Sequence, residues 1–351
     1  MDRTFSRTAR TAALAYPLAR EALFHLDPET AHHVTMAGLG VSRFLGLRGD
    51  APPPGTPVRC MGLEFPNAVG LAAGLDKDAV AVDALGALGF GFIEVGTLTP
   101  LAQPGNAKPR LFRLVTAEGI VNRMGFNNGG VDAAVARLRK RRYRGILGVN
   151  IGRNKITPNE RAVDDYLACL RAAAPVADYI AVNFSSPNTP GLRELQAADA
   201  LRGVIEPLME ERDALARKKG APLPVAIKIA PDLGEGELTA MAGVFAETKV
   251  DAVIATNTTL ARDTVEGLPH AKETGGLSGL PLRDASTEVI RRLRGVLNPS
   301  IPIIGVGGIH SAADAAEKIE AGATLIQLYT GFIYHGPQLV ADCVERLGAM
   351  G

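Results

Sequence analysis

The stretch Tyr179-Ile-Ala-Val-Asn-Phe-Ser-Ser-Pro-Asn-Thr-Pro-Gly-Leu-Arg-Glu-Leu195 joins an apolar segment to a polar loop. Its first six residues are apolar and partly β-branched, which predicts a buried strand. Pro187 and Pro190 then end the strand, because neither can donate a backbone hydrogen bond. Around them stand neutral hydrogen-bonding residues, namely Asn183, Ser185, Ser186, Asn188 and Thr189. Such a loop on a rigid strand is a candidate binding or catalytic site, although the same residue types also form ordinary turns.

The same order of strand and then helix repeats along the chain from residue 67. Short apolar runs predict eight strands, at residues 67–75, 92–99, 146–151, 179–186, 225–230, 252–259, 301–309 and 324–330. Amphipathic stretches predict helices between them, among others at residues 78–88, 131–142, 160–173, 235–247, 311–321 and 337–347. Strictly alternating units imply parallel strands joined by right-handed crossovers. The pattern therefore predicts an α/β fold, a closed (β/α)8 TIM barrel over residues 67–351. An open doubly wound sheet is less favoured, because no GxGxxG motif follows the first strand.

Three segments lie outside this repeat. Residues 101–127 are surplus to the barrel and contain strand-like runs, which predict a hairpin over the barrel mouth. Residues 1–50 predict a small N-terminal extension of two amphipathic helices, the second capped by Asp27 and Pro28. These helices are interpreted either as a cap packed on the barrel or as a basic, apolar-faced hairpin that lies on a membrane. Residues 51–66 are predicted to be a proline-rich linker and a segment at the barrel bottom.

Composition excludes several classes of protein. The chain is 46% hydrophobic and 21% charged, which is typical of a globular protein and not of a disordered one. A net charge of +1 gives no electrostatic case for nucleic acid as a partner. Three widely spaced cysteines predict no disulfide framework, and the six histidines form no HxxxH motif, so we expect no metal site. No apolar run is long enough to span a membrane.

Polar residues gather where the predicted strands end, which in such a barrel is the end that carries the active site. They are amides, hydroxyl groups and lysines, at Lys77, Thr97, Asn150, Asn183, Ser186, Lys228 and residues 256–259, and the insertion adds residues 122–128. Acids are scarce there, and the two that we find at a strand end are Asp76 and Asp78. Each position alone is as consistent with a helix cap or an ion pair as with a site. Together they suit an anionic, planar ligand that bears amide groups.

The last two strands add a glycine-rich segment. Gly307 and Gly308, and the run from Gly275 to Gly279, expose backbone N–H groups with no side chain in the way. A phosphate bound by the loops after strands seven and eight is a recurring feature of this barrel. The residues thus leave three functions open. These are an oxidoreductase that uses flavin mononucleotide (FMN), a lyase or isomerase acting on a sugar phosphate, and a non-catalytic phosphate-binding barrel.

Six blocks of the chain resemble the dihydroorotate dehydrogenase family, and specifically its class 2 enzymes, which are quinone-dependent and membrane-associated. The blocks stand in the family's order at residues 70–78, 122–128, 183–193, 254–259, 275–279 and 304–309. The resemblance covers essentially the whole chain. It implies oxidation of (S)-dihydroorotate to orotate, with hydride transfer to FMN and reoxidation by a membrane quinone, in pyrimidine (UMP) biosynthesis.

The resemblance also implies a role for individual residues. FMN is expected to contact Ala73, Gly74, Thr97, Asn150, Asn183, Lys228 and Thr256, with its phosphate on Gly279, Gly308, Tyr329 and Thr330. The substrate is expected to contact Lys77, Asn122, Arg123, Met124, Gly125, Phe126, Asn183, Asn188, Asn257 and Thr258. Ser186 is implied as the base that removes the substrate proton, directly or by relay through a neighbour such as Thr189. The residues by themselves do not favour Ser186 over Ser185.

Two features favour class 2 over class 1. Class 1 enzymes carry cysteine as the base and lack the N-terminal helices, whereas this chain has Ser186 and the extension. The resemblance implies that the two helices form an apolar tunnel for the quinone and contact membrane lipid through residues 1–45. We therefore expect a peripheral protein on the cytoplasmic side of the cell inner membrane. A class 1-type enzyme with another electron acceptor, or a non-redox phosphate-binding barrel, remains the alternative.

Overall fold

The computed structural model describes residues 7–42 and 54–350. Its helices are α1 (Arg7–Phe24), α2 (Pro28–Ser42), α3 (Val82–Gly86), α4 (Val131–Leu138), α5 (Ala162–Ala173), α6 (Ala198–Lys219), α7 (Glu235–Thr248), α8 (Arg283–Val296), α9 (Ala312–Glu320), α10 (Thr330–His335) and α11 (Pro337–Gly348). Its strands are β1 (Val58–Cys60), β2 (Leu63–Phe65), β3 (Val69–Leu71), β4 (Phe92–Leu98), β5 (Leu111–Leu114), β6 (Gly119–Asn122), β7 (Ile146–Ile151), β8 (Tyr179–Asn183), β9 (Val225–Ile229), β10 (Ala252–Ala255), β11 (Gly276–Gly279), β12 (Ile303–Val306) and β13 (Leu325–Leu328).

Eight parallel strands close into a barrel in the order β3-β4-β7-β8-β9-β10-β12-β13 and back to β3. Their residues are almost all buried, which explains why each strand reads as a continuous apolar run. Each of the eight predicted strands corresponds to one of these, so the predicted (β/α)8 barrel with an N-terminal helical extension is confirmed. One strand, β7, has the predicted bounds, and the other seven are shorter than predicted: β8, for example, ends at Asn183 rather than Ser186.

Aromatic rings fill the end of the barrel at which its parallel strands begin. Phe65 of the β1–β2 hairpin meets Phe92 edge to face, with ring centroids 5.2 Å apart, and Phe92 lies 6.5 Å from Tyr179. Glycine makes room for these rings: a Cβ on Gly70 would meet the Phe92 ring at 2.2 Å. The β1–β2 hairpin thus closes the bottom of the barrel. It lies within residues 51–66, which were predicted to be a linker and a barrel-bottom segment.

The N-terminal helices pack against the barrel through specific hydrogen bonds. Asp27 Oδ1 caps α2 by accepting from the backbone N–H groups of Glu29 at 3.1 Å and Thr30 at 3.0 Å. In α1, the Tyr16 hydroxyl donates to the Ile333 carbonyl at 2.7 Å. Residues 1–6 and 43–53 of the predicted extension and linker lie outside the described residues. In the described ranges, no helix combines the length and the apolar character that crossing a bilayer requires.

A small antiparallel sheet covers the barrel mouth. The predicted hairpin is present as β5 and β6, and β11 adds a third strand beside β6. The sequence analysis treated residues 275–279 as an open glycine loop, whereas most of this run forms β11. Glycine permits the close approach, since a Cβ on Gly276 would meet Thr258 Oγ1 at 1.9 Å and one on Gly279 would meet the Glu118 carbonyl at 2.2 Å.

Candidate active site

One cavity opens between the carboxyl ends of the barrel strands and the mouth sheet, with about 1190 Å³ of free space including its opening. Its walls collect most of the site residues that the sequence analysis named. These are Ala73, Gly74, Lys77, Thr97, Asn122, Met124, Gly125, Phe126, Asn183, Ser186, Asn188, Lys228, Thr256, Asn257, Thr258, Gly279, Gly308, Tyr329 and Thr330. Two other named residues, Asn150 and Arg123, do not line the cavity.

Three side chains at neighbouring strand ends form one hydrogen-bonded row. The Thr97 hydroxyl on β4 donates to Asn150 Oδ1 on β7 at 2.6 Å, and Asn183 Nδ2 on β8 donates to Thr97 Oγ1 at 3.1 Å. Asn150 is buried behind this row, and it orients Thr97 rather than facing the cavity. These hydrogen bonds fix the orientation of the three side chains, because each bond requires a donor on one residue and an acceptor on its neighbour.

Beneath the row, a buried carboxylate holds several polar groups on the barrel floor. Glu94 on β4 has no solvent exposure, and its carboxylate accepts from Asn150 Nδ2 at 2.8 Å, from the Tyr179 hydroxyl at 2.8 Å and from Gln327 Nε2 at 2.7 Å. Glu94 was not predicted as a site residue, because the two acids that were noted follow a strand end, whereas Glu94 lies within an apolar strand. The sequence did contain a signal for Glu94. A lysine within the apolar run of β9 requires an anion nearby, and Glu94 is an acid within another predicted barrel strand.

That lysine is Lys228, which lines the cavity above Glu94. Burial lowers the pKa of Lys228 below its usual value, and the negative charge of Glu94 opposes this shift. Gln327, which also lines the cavity, has a buried Oε1 with no hydrogen-bond partner among residues 7–42 and 54–350. A ligand with polar ring atoms would bond to both side chains.

The two acids noted at strand ends stabilise turns. Asp76 is fully buried, and its carboxylate accepts from the backbone N–H groups of Val80 and Ala81, each at 2.8 Å. Asp78 accepts from the Gly129 N–H at 2.7 Å and so ties the first loop to the insertion. Between them, Lys77 extends into the cavity and donates to the Gly74 carbonyl at 2.7 Å. Burial lowers the pKa of Lys77 to about 8.

Amide groups from three loops converge on the side of the cavity that holds Ser186. Asn188 Nδ2 donates to Asn122 Oδ1 at 3.1 Å, which joins the loop after β8 to the mouth sheet. Asn257 Nδ2 reaches Asn183 Oδ1 at 3.3 Å. Thr189 is buried and does not belong to the cavity wall.

Arg123 points away from these residues. Its guanidinium donates to Glu273 Oε2 at 2.7 Å and lies 4.6 Å from the centroid of the Phe112 ring. The following residues, Met124, Gly125 and Phe126, turn back to the cavity. Arg123 therefore ties the mouth sheet to the loop that precedes β11.

The opposite end of the cavity is rich in glycine and hydroxyl groups. Gly308 has φ +71° and a Cβ there would meet Arg283 Cα at 2.2 Å, so the backbone conformation and the space both require glycine. The Ser278 and Thr330 hydroxyl groups lie 2.8 Å apart, and Tyr329 donates to the Gly74 carbonyl at 3.1 Å. Ser278 lies within the glycine-rich run from Gly275 to Gly279, but it was not predicted to be a site residue. Glycine backbone and paired hydroxyl groups form a site suited to a phosphate group.

The cavity also reaches the N-terminal extension. His32 of α2 and Leu111 of β5 form part of its wall. The same helix is anchored beside them, because the buried Arg110 binds the Glu29 carboxylate at 2.7 Å. Burial lowers the pKa of His32 to about 3, so its imidazole is neutral. The helical extension is therefore part of the approach to the site.

The family model of dihydroorotate dehydrogenase matches residues 56–350 of this chain. Proteins with the name dihydroorotate dehydrogenase (quinone) are similar over nearly the whole length. The protein of Thiobacillus denitrificans is 58% identical over 335 residues, which cover 95% of this chain and 99% of that protein. The protein of Azotobacter vinelandii is 57% identical over 337 residues and covers 95% and 97%.

Solved structures show the same similarity. A ligand-free type dihydroorotate dehydrogenase of Eimeria tenella superposes with a TM-score of 0.82 at 41% identity, covering 92% of this chain and 94% of that one. The Eimeria tenella enzyme in complex with ferulenol gives a TM-score of 0.82 at 38% identity, with coverage of 92% and 90%. Sequence and fold thus agree on one family.

Proposed function

This chain belongs to the dihydroorotate dehydrogenase family, and we propose that it oxidises dihydroorotate on FMN held by the cavity described above. The enzyme is quinone-dependent: it converts dihydroorotate to orotate in pyrimidine biosynthesis and passes the electrons to a quinone. The observation that carries this function is the family match over the whole barrel together with the cavity that gathers the matching motifs. A non-redox barrel or a class 1-type enzyme is not favoured by relatives of this kind.

The residues of the cavity fit a flavin mononucleotide. Its lining offers the ammonium donor of Lys228 and, on Gln327, an amide oxygen without a partner in the described ranges, which suit a ring system with both donors and acceptors. The far end offers Gly308 and the Ser278–Thr330 hydroxyl pair for a phosphate. We propose that FMN is held by Ala73, Gly74, Thr97, Asn183, Lys228, Thr256, Gly279, Gly308, Tyr329 and Thr330, with Asn150 acting through Thr97. When bound, FMN supplies the acceptor for the substrate hydride and the donor for the quinone.

The amide-rich side of the cavity suits the substrate. Dihydroorotate carries a carboxylate and ring amides, and the protein offers the Lys77 ammonium and the amides of Asn122, Asn188 and Asn257. Because Asn188 and Asn122 already bond to one another, their remaining donors and acceptors have fixed directions. Thr258, Met124, Gly125 and Phe126 complete this wall. The Arg123 side chain is the exception, and we assign it a positioning role through Glu273.

Ser186 is the proposed base. Its hydroxyl lines the cavity and accepts from the Asn188 N–H at 3.2 Å, which leaves its own proton directed by no protein acceptor in the described ranges. A serine hydroxyl is a weak base, so it has to lose its proton as it takes one from the substrate ring. We propose that the serine passes its own proton to water in the cavity, since Thr189 is buried and does not line the cavity.

The buried Glu94 gives Lys228 its role. Burial lowers the pKa of Lys228, and the negative charge of the Glu94 carboxylate opposes this shift. A protonated Lys228 presents positive charge to the cavity, where negative charge develops as the substrate is oxidised. Glu94 itself is held by three donors and needs no ligand.

The N-terminal helices are the proposed route for the quinone and the contact with membrane lipid. His32 and Leu111 already belong to the cavity wall, so an apolar acceptor that enters beside α2 reaches the site. On the outer side of α1, Leu14 and Leu18 are 78% and 76% exposed, and they lie one turn apart on one face. Exposed apolar residues on a helix of this kind favour insertion at a lipid interface. With bacterial relatives, this supports a peripheral position on the cytoplasmic side of the inner membrane.

An acceptor comparison tests the function. Purified protein would be assayed for orotate formation from dihydroorotate with a soluble quinone, with fumarate and with NAD⁺ as separate acceptors, and its cofactor would be released and identified. We expect FMN in the released fraction and turnover with quinone well above that with the other two. Faster turnover with fumarate or NAD⁺ would contradict quinone dependence, and a protein without flavin that gains none from added FMN would contradict the cofactor.

A further inference from the structure

Two histidines and a glutamate meet on the outer side of the cavity wall. Glu118 lies in the turn between β5 and β6, His310 follows β12, and His335 ends α10. The three atoms Glu118 Oε2, His310 Nδ1 and His335 Nε2 are mutually in contact, at 3.0 Å, 3.2 Å and 3.2 Å. The function proposed above uses none of these side chains.

Hydrogen bonds cannot use all three contacts of this arrangement at once. An ionised carboxylate oxygen brings no proton, and each ring nitrogen brings at most one, so at most two protons serve three contacts. If both nitrogens are protonated, both N–H groups donate to Glu118 Oε2, and the two nitrogens lie 3.2 Å apart with no hydrogen bond between them. If one or both are unprotonated, lone pairs face each other instead. A cation between the three atoms is coordinated by one lone pair from each of them, so that all three contacts become attractive at once.

The dimensions suit a small transition-metal ion. A triangle with these sides has a centre about 1.8 Å from each corner, so an ion slightly outside the plane lies at the roughly 2.0–2.1 Å that zinc requires for nitrogen and oxygen ligands. Two imidazoles and one carboxylate with a fourth position open is also a ligand set that zinc uses. Imidazole nitrogen disfavours magnesium and calcium, which prefer oxygen ligands.

The site is held in place and can be reached from solvent. The Glu118 and His335 side chains are 34% and 33% exposed, whereas the His310 side chain is buried and packs beside Tyr334 with ring centroids 6.0 Å apart. Glu118 has φ +46°, a conformation uncommon for a residue with a side chain, and the rest of the turn maintains it. An ion and a bound water therefore have access, and at least one ligand is rigid.

We propose that Glu118, His310 and His335 bind one divalent transition-metal ion of the zinc class, with water as the fourth ligand. Each ligand is close in the chain to a residue of the cavity wall. Glu118 is separated from Ile120 by Gly119, and His310 directly follows Ile309. His335 and Thr330 are the two ends of α10. The ion thus joins the mouth hairpin to two barrel loops and stabilises the wall from outside. Spacing along the sequence gave no sign of it, because the three ligands come from segments far apart in the chain.

Zinc titration of the flavin-bound protein tests the proposal. Protein first treated with a chelator is titrated with zinc against a chromogenic competitor, in parallel with Glu118→Gln, His335→Ala and the control His270→Ala. His270 lies within 4.0 Å of Glu273 but has no second histidine beside it, so it reports zinc bound by an ordinary surface pair. We expect one equivalent bound by the wild type and by His270→Ala, and affinity more than about tenfold lower for the other two variants.

Diffraction keeps the test independent of how the variants fold. Crystals of the wild-type protein with zinc, measured at the zinc absorption edge, are expected to show an anomalous peak between the three side chains. Equal zinc affinity in the wild type and His335→Ala, or zinc-treated crystals with no peak at this position, would overturn the proposal.

Discussion

Ser185 and Ser186 are adjacent in the chain, yet their hydroxyl groups have different surroundings. The Ser185 hydroxyl is fully buried, donates to Asn183 Oδ1 at 3.2 Å and accepts from Asn257 Nδ2 at 3.0 Å. The Ser186 hydroxyl lines the cavity, and its one partner in the described part of the chain is the Asn188 N–H, from which it accepts. Both sides of Ser185 are thus occupied by protein, and Ser186 retains a free position toward a ligand. This difference supports the proposal that Ser186 is the base, a choice that the residue pattern by itself left open.

The contrast between the serines predicts different kinetics for their alanine variants. Ser186→Ala should slow flavin reduction by dihydroorotate by roughly 10²- to 10⁴-fold, because it removes a proton acceptor and leaves the binding groups intact. Orotate affinity should change only a few-fold. Rapid mixing under anaerobic conditions gives the rate, and orotate titration gives the affinity.

Ser185→Ala is the matched control for that experiment. It removes one hydroxyl from the neighbouring position and should slow flavin reduction by less than about tenfold, since Asn257 keeps its contact with Asn183. Comparable losses in both variants would contradict the assignment of the base to Ser186.

Replacing the carboxylate beneath the cavity should destabilise the protein. Glu94→Gln removes the negative charge near Lys228 and turns an amide N–H₂ toward groups that are themselves donors. We expect a loss of about 3 kcal/mol in the free energy of unfolding, typical of a broken buried charge pair. Denaturant unfolding with saturating FMN measures it.

Glu64→Gln provides the comparison, because Glu64 is 65% exposed and lies 3.8 Å from an exposed Arg59. Such a surface change should alter stability by no more than about 0.5 kcal/mol. If the two variants unfold alike, Glu94 does not have the electrostatic role given to it here.

Lys77 should make ligand binding dependent on pH. Burial lowers its pKa to about 8, so in the free protein the ammonium is present below that pH and is lost above it. If the ammonium binds the ligand carboxylate, orotate affinity is constant below about pH 8 and falls above it, by up to tenfold per pH unit. Calorimetric titration of orotate from about pH 6 to about pH 10 checks the direction, because this range extends to either side of the Lys77 pKa.

Two variants separate Lys77 from other titrating groups. Lys77→Met should bind orotate weakly at every pH, without the decline above pH 8. Lys77→Arg should shift the decline to higher pH, because arginine keeps its charge. A decline that persists unchanged in Lys77→Met would assign it to a different group.

Charging the outer face of α1 should detach the protein from lipid. The double variant Leu14→Glu with Leu18→Glu places two carboxylates where the proposed membrane contact lies. We expect it to lose sedimentation with anionic vesicles and to keep its activity with a water-soluble quinone. The control is Ile156→Glu with Val296→Glu, two exposed apolar residues on the barrel that should leave vesicle binding unchanged. Equal vesicle binding by the two double variants would contradict lipid contact through α1.

The barrel was predictable from sequence because its parallel strands are buried on both faces and read as separate apolar runs. The polar residues at their ends were predictable for the same reason, since Lys77, Asn183 and Lys228 interrupt apolar runs or follow them. The predicted ends of the strands were less accurate. Phe184 continues the apolar pattern of β8, but the strand has already ended at Asn183. The route of β11 was not predicted, because its glycines suit an open loop as well as a close strand pair.

Features that depend on distant contacts could not be found by local pattern. Glu94 lies in an apolar strand, and its partners Asn150, Tyr179 and Gln327 come from three other strands. Arg123 belongs to a motif that faces the cavity, yet Glu273 draws its side chain outward. In each case side-chain contacts across the fold decide the position, and the neighbouring residues in the chain do not predict these contacts.

The most direct measurement is an anaerobic titration of the purified protein followed by its visible spectrum. The account predicts that the flavin absorbance bleaches when dihydroorotate is added and returns in full when a soluble quinone follows. Bleaching without recovery by quinone would contradict quinone as the acceptor. A spectrum that dihydroorotate leaves unchanged, in protein that contains flavin, would contradict the central claim that this cavity oxidises dihydroorotate.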